Sequence, residues 1–502
     1  MSQIREVSEA RRQRRLLRVI SRHNSDRYRI SAFVSSEGLQ WFRENVPLTE
    51  YHDYEERILD YYNRGRGGIS NERTTFFAST SGSTGRPKVI PHTQRSLRSY
   101  VFSTFPLLLR VFRQAGIGVL RRKGVALLVG KECCNISPIG ITTGSISGKV
   151  ASMLFDTLPW CFTHSPRFFD RHDPASRYNS LVGIVRERKL TGIMGTSPLL
   201  IHQILADACS VSRSSPEGTL LDALQRRQPC LKFIVCLTGH PERWHGARLR
   251  SELPRRCVMM DPGVGASEGL YTNGGFGYTP TGTPVTDGNQ FLEWMPQNGD
   301  PADALCSIDD FLGADVEPLL TSCNGLLRYR IGDIYRVVRQ SKRCVLRFQG
   351  RNCNTVSVGI ERVTEQDVYH VVNRVSRSLG IGVHDYVCLS EALSAYKGRY
   401  WLLLLTPGKE HNSRFAHKAE RLADEMFNSI NIEVSNSREN DRFLLAPRVL
   451  VGKEAEGIVS EVRAKARFRE AQEKEKSLFS VSESEEFIMT LRVSANTLSC
   501  HA

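Results

Sequence analysis

The sequence predicts an α/β protein with a large N-terminal domain that contains a β-rich subdomain, and a small α+β C-terminal domain. Three observations support this prediction. Apolar runs of strand length, such as 125–130 and 231–239, alternate with segments of helical periodicity. Between about 283 and 349, short β-like segments follow one another with turns between them, which is typical of an antiparallel or barrel-like module. After residue 350 helices and strands alternate again.

The domain boundary is placed near residue 350, where the β-rich pattern ends. Residues 1–350 are predicted to form the large domain and residues 351–479 the small domain. Residues 480–502 are rich in Ser and Glu, and their only apolar cluster is FIMTL. A segment of this composition buries little apolar surface, so it is predicted to be a partly disordered tail.

Periodicity and turn signals locate the individual elements. Strands are predicted at 74–79, 125–130 and 231–239, and a small-residue loop at 138–148. Helices are predicted at 8–22, 52–62, 95–112, 175–189, 197–207, 417–429 and 460–476.

The arginine-rich N-terminus allows two interpretations. It could form an amphipathic targeting helix, but such segments are poor in acids and this one contains Glu6 and Glu9. The apolar residues between 16 and 20 suit a helix that packs on a domain. We favour the structural helix.

Composition narrows the class of protein. The 502 residues are 40% hydrophobic, which is ample for a buried core, and no run approaches the ~18 apolar residues of a membrane span. The 68 Lys and Arg against 53 Asp and Glu give a net charge of +15. The basic residues are scattered, without zinc-finger spacing or an aromatic RNA-binding signature, so nucleic acid is not an expected partner. The surplus is compatible with small anionic substrates.

The 13 cysteines include no Cys-x-x-Cys pair. An odd number without metal-ligand spacing argues against a disulfide framework or a zinc site. A reducing compartment such as the cytoplasm is therefore expected.

Residues 79–88, STSGSTGRPK, combine five hydroxyl side chains with two glycines and a lysine. The backbone N–H groups of a glycine-rich turn can converge on phosphate oxygens, and Lys88 adds a positive charge. A β-run precedes the segment and a predicted helix follows it, as in known phosphate loops. It is not a Walker loop, because no Gly-Lys-Ser/Thr ends it. On composition alone, a flexible surface turn is an equal alternative.

SGSTGRPK at 81–88 resembles the phosphate-binding signature of the acyl-adenylate-forming enzyme superfamily. Three further segments resemble later signatures of that superfamily in the same order: GVGASEG at 263–269, YRIGD at 329–333 and GR at 350–351. The resemblance implies the acyl-adenylate-forming fold, in which the small C-terminal domain is mobile.

The resemblance also implies roles for single residues. The phosphates of ATP would be bound by Ser81, Gly82, Ser83, Thr84, Gly85 and Lys88. Ser267 and Glu268 take the places of the adenine-and-metal motif, with Glu268 as a magnesium ligand. Asp333 would accept hydrogen bonds from the ribose hydroxyls, and Arg351 would contact the nucleotide. The resemblance makes Lys88 and Glu268 the expected catalytic groups of the large domain.

The chain departs from the superfamily pattern at two positions. Val264 stands where an aromatic ring usually packs against adenine, and Cys353 stands where the hinge between the domains usually has a polar residue. Adenine packing must then come partly from other residues.

The C-terminal catalytic lysine of the superfamily has no certain counterpart. Gln472 and Lys474 in AQEKEKSLF have the spacing found in one branch of the superfamily but lack the Pro-Arg that follows it there. Lys453 is a rival, and an ordinary charged helix over this segment is the favoured alternative. Without this lysine, adenylation would be slow or lost.

Segments 43–58, VIPHT at 89–93 and FLEWMP at 291–296 resemble one branch of the superfamily, the auxin-responsive acyl acid amido synthetases. This resemblance implies an ATP-dependent monomeric ligase that activates a carboxylic acid as acyl-AMP and transfers the acyl group to an amino acid. An acyl-CoA or acyl-carrier ligase and a nucleotide-binding pseudoenzyme are the alternatives. The acyl site is expected near 138–148 and 196–204, whose small and apolar residues suggest a largely apolar acid.

Overall fold

The structure, a computed structural model, divides the chain into two compact units. The first comprises residues 1–349 and 469–473, and the second comprises residues 350–468 and 474–502. The residues described are 11, 14–20, 28–79, 88–120, 123–170, 174–195, 197–210, 219–238, 243–274, 281–285, 289–297, 299–351, 355–358, 361, 363–394, 397–406, 413–438, 444–467, 477–480, 483–484, 487–489 and 491.

Helices and strands alternate along the first unit, where residues 14–20 are also helical. Its helices are α1 (Tyr28–Asn45), α2 (His52–Arg64), α3 (Gln94–Ala115), α4 (Ile146–Thr157), α5 (Pro174–Glu187), α6 (Pro198–Ala208), α7 (Leu220–Arg227) and α8 (Arg243–Ser251). Its strands are β1 (Thr74–Ser79), β2 (Val89–Thr93), β3 (Val125–Leu128), β4 (Asn135–Ile136), β5 (Thr142–Gly144), β6 (Gly192–Gly195), β7 (Phe233–Val235), β8 (Val258–Met260), β9 (Thr272–Gly274), β10 (Thr281–Pro284), β11 (Gln290–Pro296), β12 (Asp315–Ser322), β13 (Tyr329–Arg330), β14 (Asp333–Gln340) and β15 (Arg343–Arg351).

A parallel sheet in the order β3-β6-β7-β8 lies between two layers of helices. Ala126 and Leu128 pack in one buried cluster with residues of α5 and α6, whereas Val125 and Leu127 pack in another with residues of α3 and α4. Because both faces are covered, the strands are apolar at every position instead of alternating. The sheet delivers the carboxyl end of β8 to the site described below.

Two further sheets share one hydrophobic core. The first has the order β2-β1-β5-β4, and the second runs β11-β12-β14-β15-β10-β9 with β13 paired to β12. Phe76 and Ile90 of the first sheet pack in the same cluster as Trp294 and Tyr335 of the second. The Trp294 and Tyr335 rings meet edge to face, with centroids 5.7 Å apart.

The side chain of Arg328 connects the end of α1 to the seven-stranded sheet, where it forms a buried ion pair with Glu293 of β11. The Arg328 Nε lies 3.2 Å from the Glu293 carboxylate, and both side chains are almost fully buried. The guanidinium also donates to the carbonyls of Arg43, Val46 and Pro301. The bonds to the Arg43 and Val46 carbonyls fix the end of α1 to the sheet. Removing Arg328 or Glu293 alone would leave an uncompensated buried charge.

The second unit is built on a sheet in the order β20-β19-β18-β21. The hairpin of β18 and β19 contributes buried residues such as Leu389 and Leu403 to a core that also contains Ile458. Its strands are β16 (Thr355–Val356), β17 (Val363–Thr364), β18 (Asp385–Ser394), β19 (Lys397–Leu405), β20 (Arg448–Val451) and β21 (Leu478–Phe479). Its helices are α9 (Glu365–Leu379), α10 (Ser413–Ile430), α11 (Ile432–Arg438) and α12 (Lys453–Arg467).

The predicted α/β class and the antiparallel character of 283–349 are confirmed. The charged helix predicted at 460–476 begins earlier, at Lys453, and residues 468–476 lie outside the described part of the chain. In the part that is described, no helix combines the length and apolarity needed to cross a membrane.

The partly disordered tail at 480–502 stays a prediction, although described residues between 480 and 491 include packed side chains. Phe487, Ile488 and Leu491 are buried in the core of the second unit, and the Ser484 hydroxyl accepts a hydrogen bond from Ser390 N at 3.0 Å. These three residues belong to the FIMTL cluster, the apolar part of an otherwise Ser/Glu-rich segment. Residues 492–502 are outside the described part.

His164 makes the stability of the first unit dependent on pH. Its Nδ1 lies 2.7 Å from Thr163 Oγ1, and its Nε2 donates to the Leu127 carbonyl at 3.0 Å. Desolvation lowers its pKa from 6.5 to about 4, against the effect of the Leu127 bond and with help from the charges of Arg177 and Arg188. The folded state therefore keeps this ring neutral at a pH where the unfolded chain takes up a proton.

We expect the free energy of unfolding to be constant above pH 6.5 with respect to His164 and to fall as the pH drops toward 4. His164→Gln should remove on the order of 2 to 3 kcal/mol of this change. The slope is reduced and not abolished, since His92, whose pKa is also about 4, acts with the same sign. Urea unfolding of both proteins at pH 7.5 and 4.5 measures the difference, and equal slopes would contradict the assignment.

Candidate functional site

The predicted phosphate loop connects the two strands of an antiparallel hairpin. Ser79 at the end of β1 pairs with Val89 at the start of β2, so the ends of the loop lie side by side. The residues predicted to contact phosphate, Ser81, Gly82, Ser83, Thr84 and Gly85, lie outside the described part of the chain. Their roles stay predictions.

The helix predicted at 95–112 is α3, and a strand separates it from the loop. The segment VIPHT forms β2, and α3 begins only at Gln94, with Thr93 as its N-cap. The β-branched residues of VIPHT and the pairing with β1 explain the strand. The N-terminus of α3 is thus separated from the loop by a whole strand.

Lys88, the last residue of the loop, rests on Tyr51. The ammonium lies 5.3 Å from the centroid of the Tyr51 ring, a cation–π arrangement. The phenol oxygen accepts a hydrogen bond from Val89 N at 3.1 Å. Tyr51 therefore fixes both the lysine and the backbone that follows it.

Glu268 is a buried carboxylate surrounded by tyrosines. Its Oε1 accepts a hydrogen bond from Tyr329 Oη at 3.3 Å, and the side chain is 6% exposed. Burial, with the added effect of the Glu268 charge, raises the pKa values of Tyr51, Tyr100 and Tyr271. The Glu268 carboxylate thus influences Tyr51, whose ring lies beneath Lys88, and also Tyr100 and Tyr271.

No lysine or arginine of the described part forms an ion pair with Glu268. Glu132 is a useful contrast, because Lys149 lies 2.7 Å and Arg167 2.6 Å from its carboxylate oxygens. A buried carboxylate without a resident cation is suited to accept one from a ligand.

The loop that carries Glu268 is held by two residues of the segment after Lys88. His92 Nε2 donates to the Ser267 carbonyl at 2.7 Å, and Tyr100 Oη donates to the Ala266 carbonyl at 2.7 Å. The loop itself is a tight turn in which Ala266 N donates to the Gly269 carbonyl at 2.8 Å. The backbone carbonyl of Ser267, a predicted nucleotide-binding residue, is thus fixed by His92.

Asp261 fixes the start of the same loop. Its carboxylate accepts hydrogen bonds from Thr238 N at 2.8 Å, Thr238 Oγ1 at 2.7 Å and Gly263 N at 2.7 Å. Burial raises the pKa of Asp261, against the effect of these bonds and of the charge of Arg110. The bonds join the carboxyl ends of β7 and β8, where ligands bind in open parallel sheets.

Asp333, the predicted ribose ligand, lies at the start of β14 and is 1% exposed. Burial raises the pKa of Tyr271, and the charges of Glu268 and Asp333 add to this effect. The Tyr271 hydroxyl is buried and finds no hydrogen-bond partner among the described residues. Gly332 before Asp333 has φ +80°, a conformation that favours glycine, and the space beside its Cα is open.

The donor set fits magnesium that arrives with a nucleotide. Among the described residues no group of three or more His, Cys, Asp or Glu could hold a metal ion. Magnesium usually takes one or two protein carboxylates and completes its shell with phosphate oxygens and water. Glu268 alone can meet this requirement, whereas an all-protein cage cannot be built from the described residues.

Other predicted site residues remain untested or receive another explanation. Lys474 and Cys353 lie outside the described part, and for Arg351 only the backbone, at the end of β15, is described. Lys453 is exposed at the start of α12 in the second unit.

The small and apolar residues of the expected acyl site have structural reasons. A Cβ on Gly144 would lie 1.9 Å from the Glu132 carbonyl, and one on Gly148 would lie 2.4 Å from the Gly130 carbonyl. Ile201 and Ile204 of α6 are buried in the core against the parallel sheet. Their character reports packing, so the apolar nature of the acid stays a prediction.

Sequence reasoning missed Tyr51, His92, Tyr100 and Asp261. A signal existed for two of them, because Tyr51 lies in 43–58 and His92 in VIPHT, both of which carry the family resemblance. No local pattern distinguishes Tyr100 from the other apolar positions of α3. Asp261 belongs to a DPG turn, which reads as ordinary turn chemistry.

Comparison with known proteins supports a specific relationship. The GH3 family N-terminal domain matches residues 4–208 and the GH3 family central domain matches residues 283–351, together more than half of the chain. The 4-substituted benzoates-glutamate ligase GH3.12 of Arabidopsis thaliana is 22% identical over 461 residues, which are 80% of this chain and 79% of that protein.

Solved structures with the same fold include two ligases. The acyl acid amido synthetase AtGH3.15 in complex with 2,4-DB superposes with a TM-score of 0.75 at 17% identity, over 97% of this chain and 93% of that one. A 2-hydroxyisobutyryl-CoA ligase in the postadenylation state has a TM-score of 0.58 at 12% identity, over 97% and 92% of the two chains. At these identities the likeness establishes the fold.

We expect Tyr51→Phe to destabilise the protein by about 1 to 2 kcal/mol, because the Val89 N–H loses its acceptor while the ring stays beneath Lys88. Tyr51→Leu should cost more, since the cation–π contact is lost as well. Urea unfolding at neutral pH measures both. Tyr62→Phe, on the partly exposed face of α2, is the matched control, and an equal effect of Tyr51→Phe and Tyr62→Phe would contradict the role of the phenol oxygen.

Proposed function

We propose, from the premise that this chain belongs to the GH3 family, that it is an ATP-dependent acid–amino acid ligase. It would activate a carboxylic acid as acyl-AMP and transfer the acyl group to the amino group of an amino acid. The names of its relatives, a benzoate–glutamate ligase and an acyl acid amido synthetase, support this reaction class.

One observation carries the proposal. The Tyr51 ring supports the Lys88 ammonium, and the pKa of the same phenol responds to the charge of Glu268. Lys88, a cation suited to phosphate oxygens, therefore lies over a phenol that is near enough to Glu268 for the charge of this carboxylate to affect its pKa. Among the described residues Glu268 has no Lys or Arg ion-pair partner, so it is suited to a phosphate-bound metal. ATP activation needs both groups, because negative charge on the departing pyrophosphate must be offset.

In the first half-reaction an oxygen of the acid carboxylate attacks the α-phosphorus of ATP, and the bond to the bridging oxygen of pyrophosphate breaks. Lys88 and the backbone N–H groups of 81–85 would offset charge on the phosphates, and Asp333 would orient the ribose. Magnesium, when bound through Glu268, supplies further charge neutralisation on the phosphate oxygens. The remaining contribution of the protein is to hold two anions in line.

In the second half-reaction the neutral amine attacks the acyl carbonyl, loses a proton and expels AMP. Arg351, together with Lys474 or Lys453, would belong to this stage or to adenylation through the mobile second unit. A reducing compartment such as the cytoplasm is part of this proposal, because the 13 cysteines are an odd number and include no Cys-x-x-Cys pair.

An acyl-CoA ligase is the second candidate, favoured by the fold likeness to the 2-hydroxyisobutyryl-CoA ligase. Both candidates share the adenylation step and differ only in the nucleophile. AMP release that depends on an amino acid, compared with release that depends on CoA, distinguishes them.

We expect acid-dependent pyrophosphate release when the protein is supplied with MgATP and a panel of carboxylic acids. Lys88→Ala and Glu268→Gln should each lower kcat/KM by roughly 10²- to 10³-fold, since each removes charge stabilisation of the transition state. Lys342→Ala and Glu44→Gln remove exposed charges of the same sign and should leave the rate unchanged. Full activity of both site variants would refute the site. Absence of ATP binding by the wild-type protein would refute the function, and ATP binding without release for any acid would favour the pseudoenzyme.

A further inference from the structure

Two hydrogen bonds from one segment hold consecutive carbonyl groups directly before Glu268. Tyr100 Oη donates to the Ala266 carbonyl and His92 Nε2 donates to the Ser267 carbonyl, each at 2.7 Å. The donors lie 166 and 175 residues away in sequence from their acceptors. Both belong to β2 and α3, the segment that continues from Lys88.

The neighbours of His92 determine which ring nitrogen carries the proton. The Asn324 oxygen accepts from Thr93 N at 3.4 Å, so the Asn324 amide group turns its N–H bonds toward His92 Nδ1, 3.3 Å away. The Ser96 hydroxyl, 3.0 Å from Nδ1, already donates to the Thr93 carbonyl at 2.9 Å. Nδ1 is therefore an acceptor, and the proton of the neutral ring lies on Nε2 and points at Ser267.

His92 and Tyr100 pack as one unit. Their rings meet edge to face with centroids 5.7 Å apart, and both side chains are buried. Among the described residues the Ala266 carbonyl is the hydrogen-bond partner of the Tyr100 hydroxyl, which must donate because a carbonyl only accepts. Two rigid donors on one surface thus set the position of the peptide groups on the N-terminal side of Glu268.

We propose that His92 and Tyr100 are positioning residues that aim the Glu268 carboxylate at the magnesium of bound ATP, and that they couple this carboxylate to the Lys88 strand. This inference rests on the proposed function. Tyr329 fixes the tip of the Glu268 side chain, but only His92 and Tyr100 bond to the carbonyls of the two preceding residues among the described contacts. A displacement of the peptide would move the carboxylate with it.

The test compares the affinity for ATP with and without magnesium, measured by calorimetry on the full chain. The wild-type protein should bind ATP more tightly when magnesium is added. Tyr100→Phe removes one oxygen and should reduce this gain about fivefold, and His92→Leu should reduce it more. Affinity for magnesium-free ATP should stay within about twofold for both, because both side chains are buried and bonded to the loop before Glu268 and neither is an expected nucleotide ligand. His92→Gln keeps an N–H near the position of Nε2 and should restore most of the gain.

His164→Leu is the matched control, because His164 also donates from Nε2 to a backbone carbonyl and its pKa is also about 4. It should lose stability while keeping the full magnesium gain. In the double variant His92→Leu/Tyr100→Phe, the loss of the magnesium-dependent gain in ATP affinity should be smaller than the sum of the two single losses, because both residues act on the same loop.

The outcomes separate the inference from the proposed function. An unchanged magnesium gain in Tyr100→Phe and His92→Leu, with ATP still bound, overturns the positioning role and leaves the ligase function standing. An equal loss in His164→Leu also overturns it, because the effect would then follow from stability. A wild-type protein that binds no ATP overturns both.

Discussion

The turn at residues 263–270 holds the carboxylate of Glu268 in a buried position, and the surrounding hydrogen bonds fix the backbone of this turn. Buried backbone groups need hydrogen-bond partners, and this turn finds them in three sheets. Asp261 bonds to Thr238 N and Gly263 N at the edge of the parallel sheet, and the Gln290 amide pairs with both backbone groups of Leu270 from the seven-stranded sheet. His92 and Tyr100 complete the set from β2 and α3.

Four buried carboxylates of the first unit, Glu132, Glu293, Asp261 and Glu268, differ in the groups that balance their charge. Glu132 and Glu293 lie beside lysine or arginine and hold the fold together. Asp261 is satisfied by backbone and hydroxyl donors, while Glu268 receives one tyrosine hydroxyl among the described contacts. Burial of an incompletely paired anion costs free energy, and this supports the proposal that Glu268 receives its remaining partner from a ligand.

Packing requirements imitate substrate requirements in this fold. Gly144 and Gly148 are small because the backbone of 130–132 passes within contact distance, and α6 is apolar because it covers the parallel sheet. Both patterns suggested an acyl pocket in the sequence. Packing also gives structure to segments whose own pattern is weak. VIPHT forms a strand through its pairing with β1, and Phe487 is buried in the core of the second unit.

The sequence by itself determined the α/β class, the β-rich subdomain and the order of the four signature segments, because these depend on local periodicity and on the residue types that turns and phosphates require. It also pointed to Lys88, Glu268 and Asp333 as the charged groups of the site. Only the tertiary structure decided the contacts of these residues, which are Tyr51 beneath Lys88, the Tyr329 hydroxyl on Glu268, and the His92 and Tyr100 donors to the carbonyls before Glu268. Hydrogen bonds across more than 160 residues depend on how separate sheets pack, and no local pattern encodes that distance.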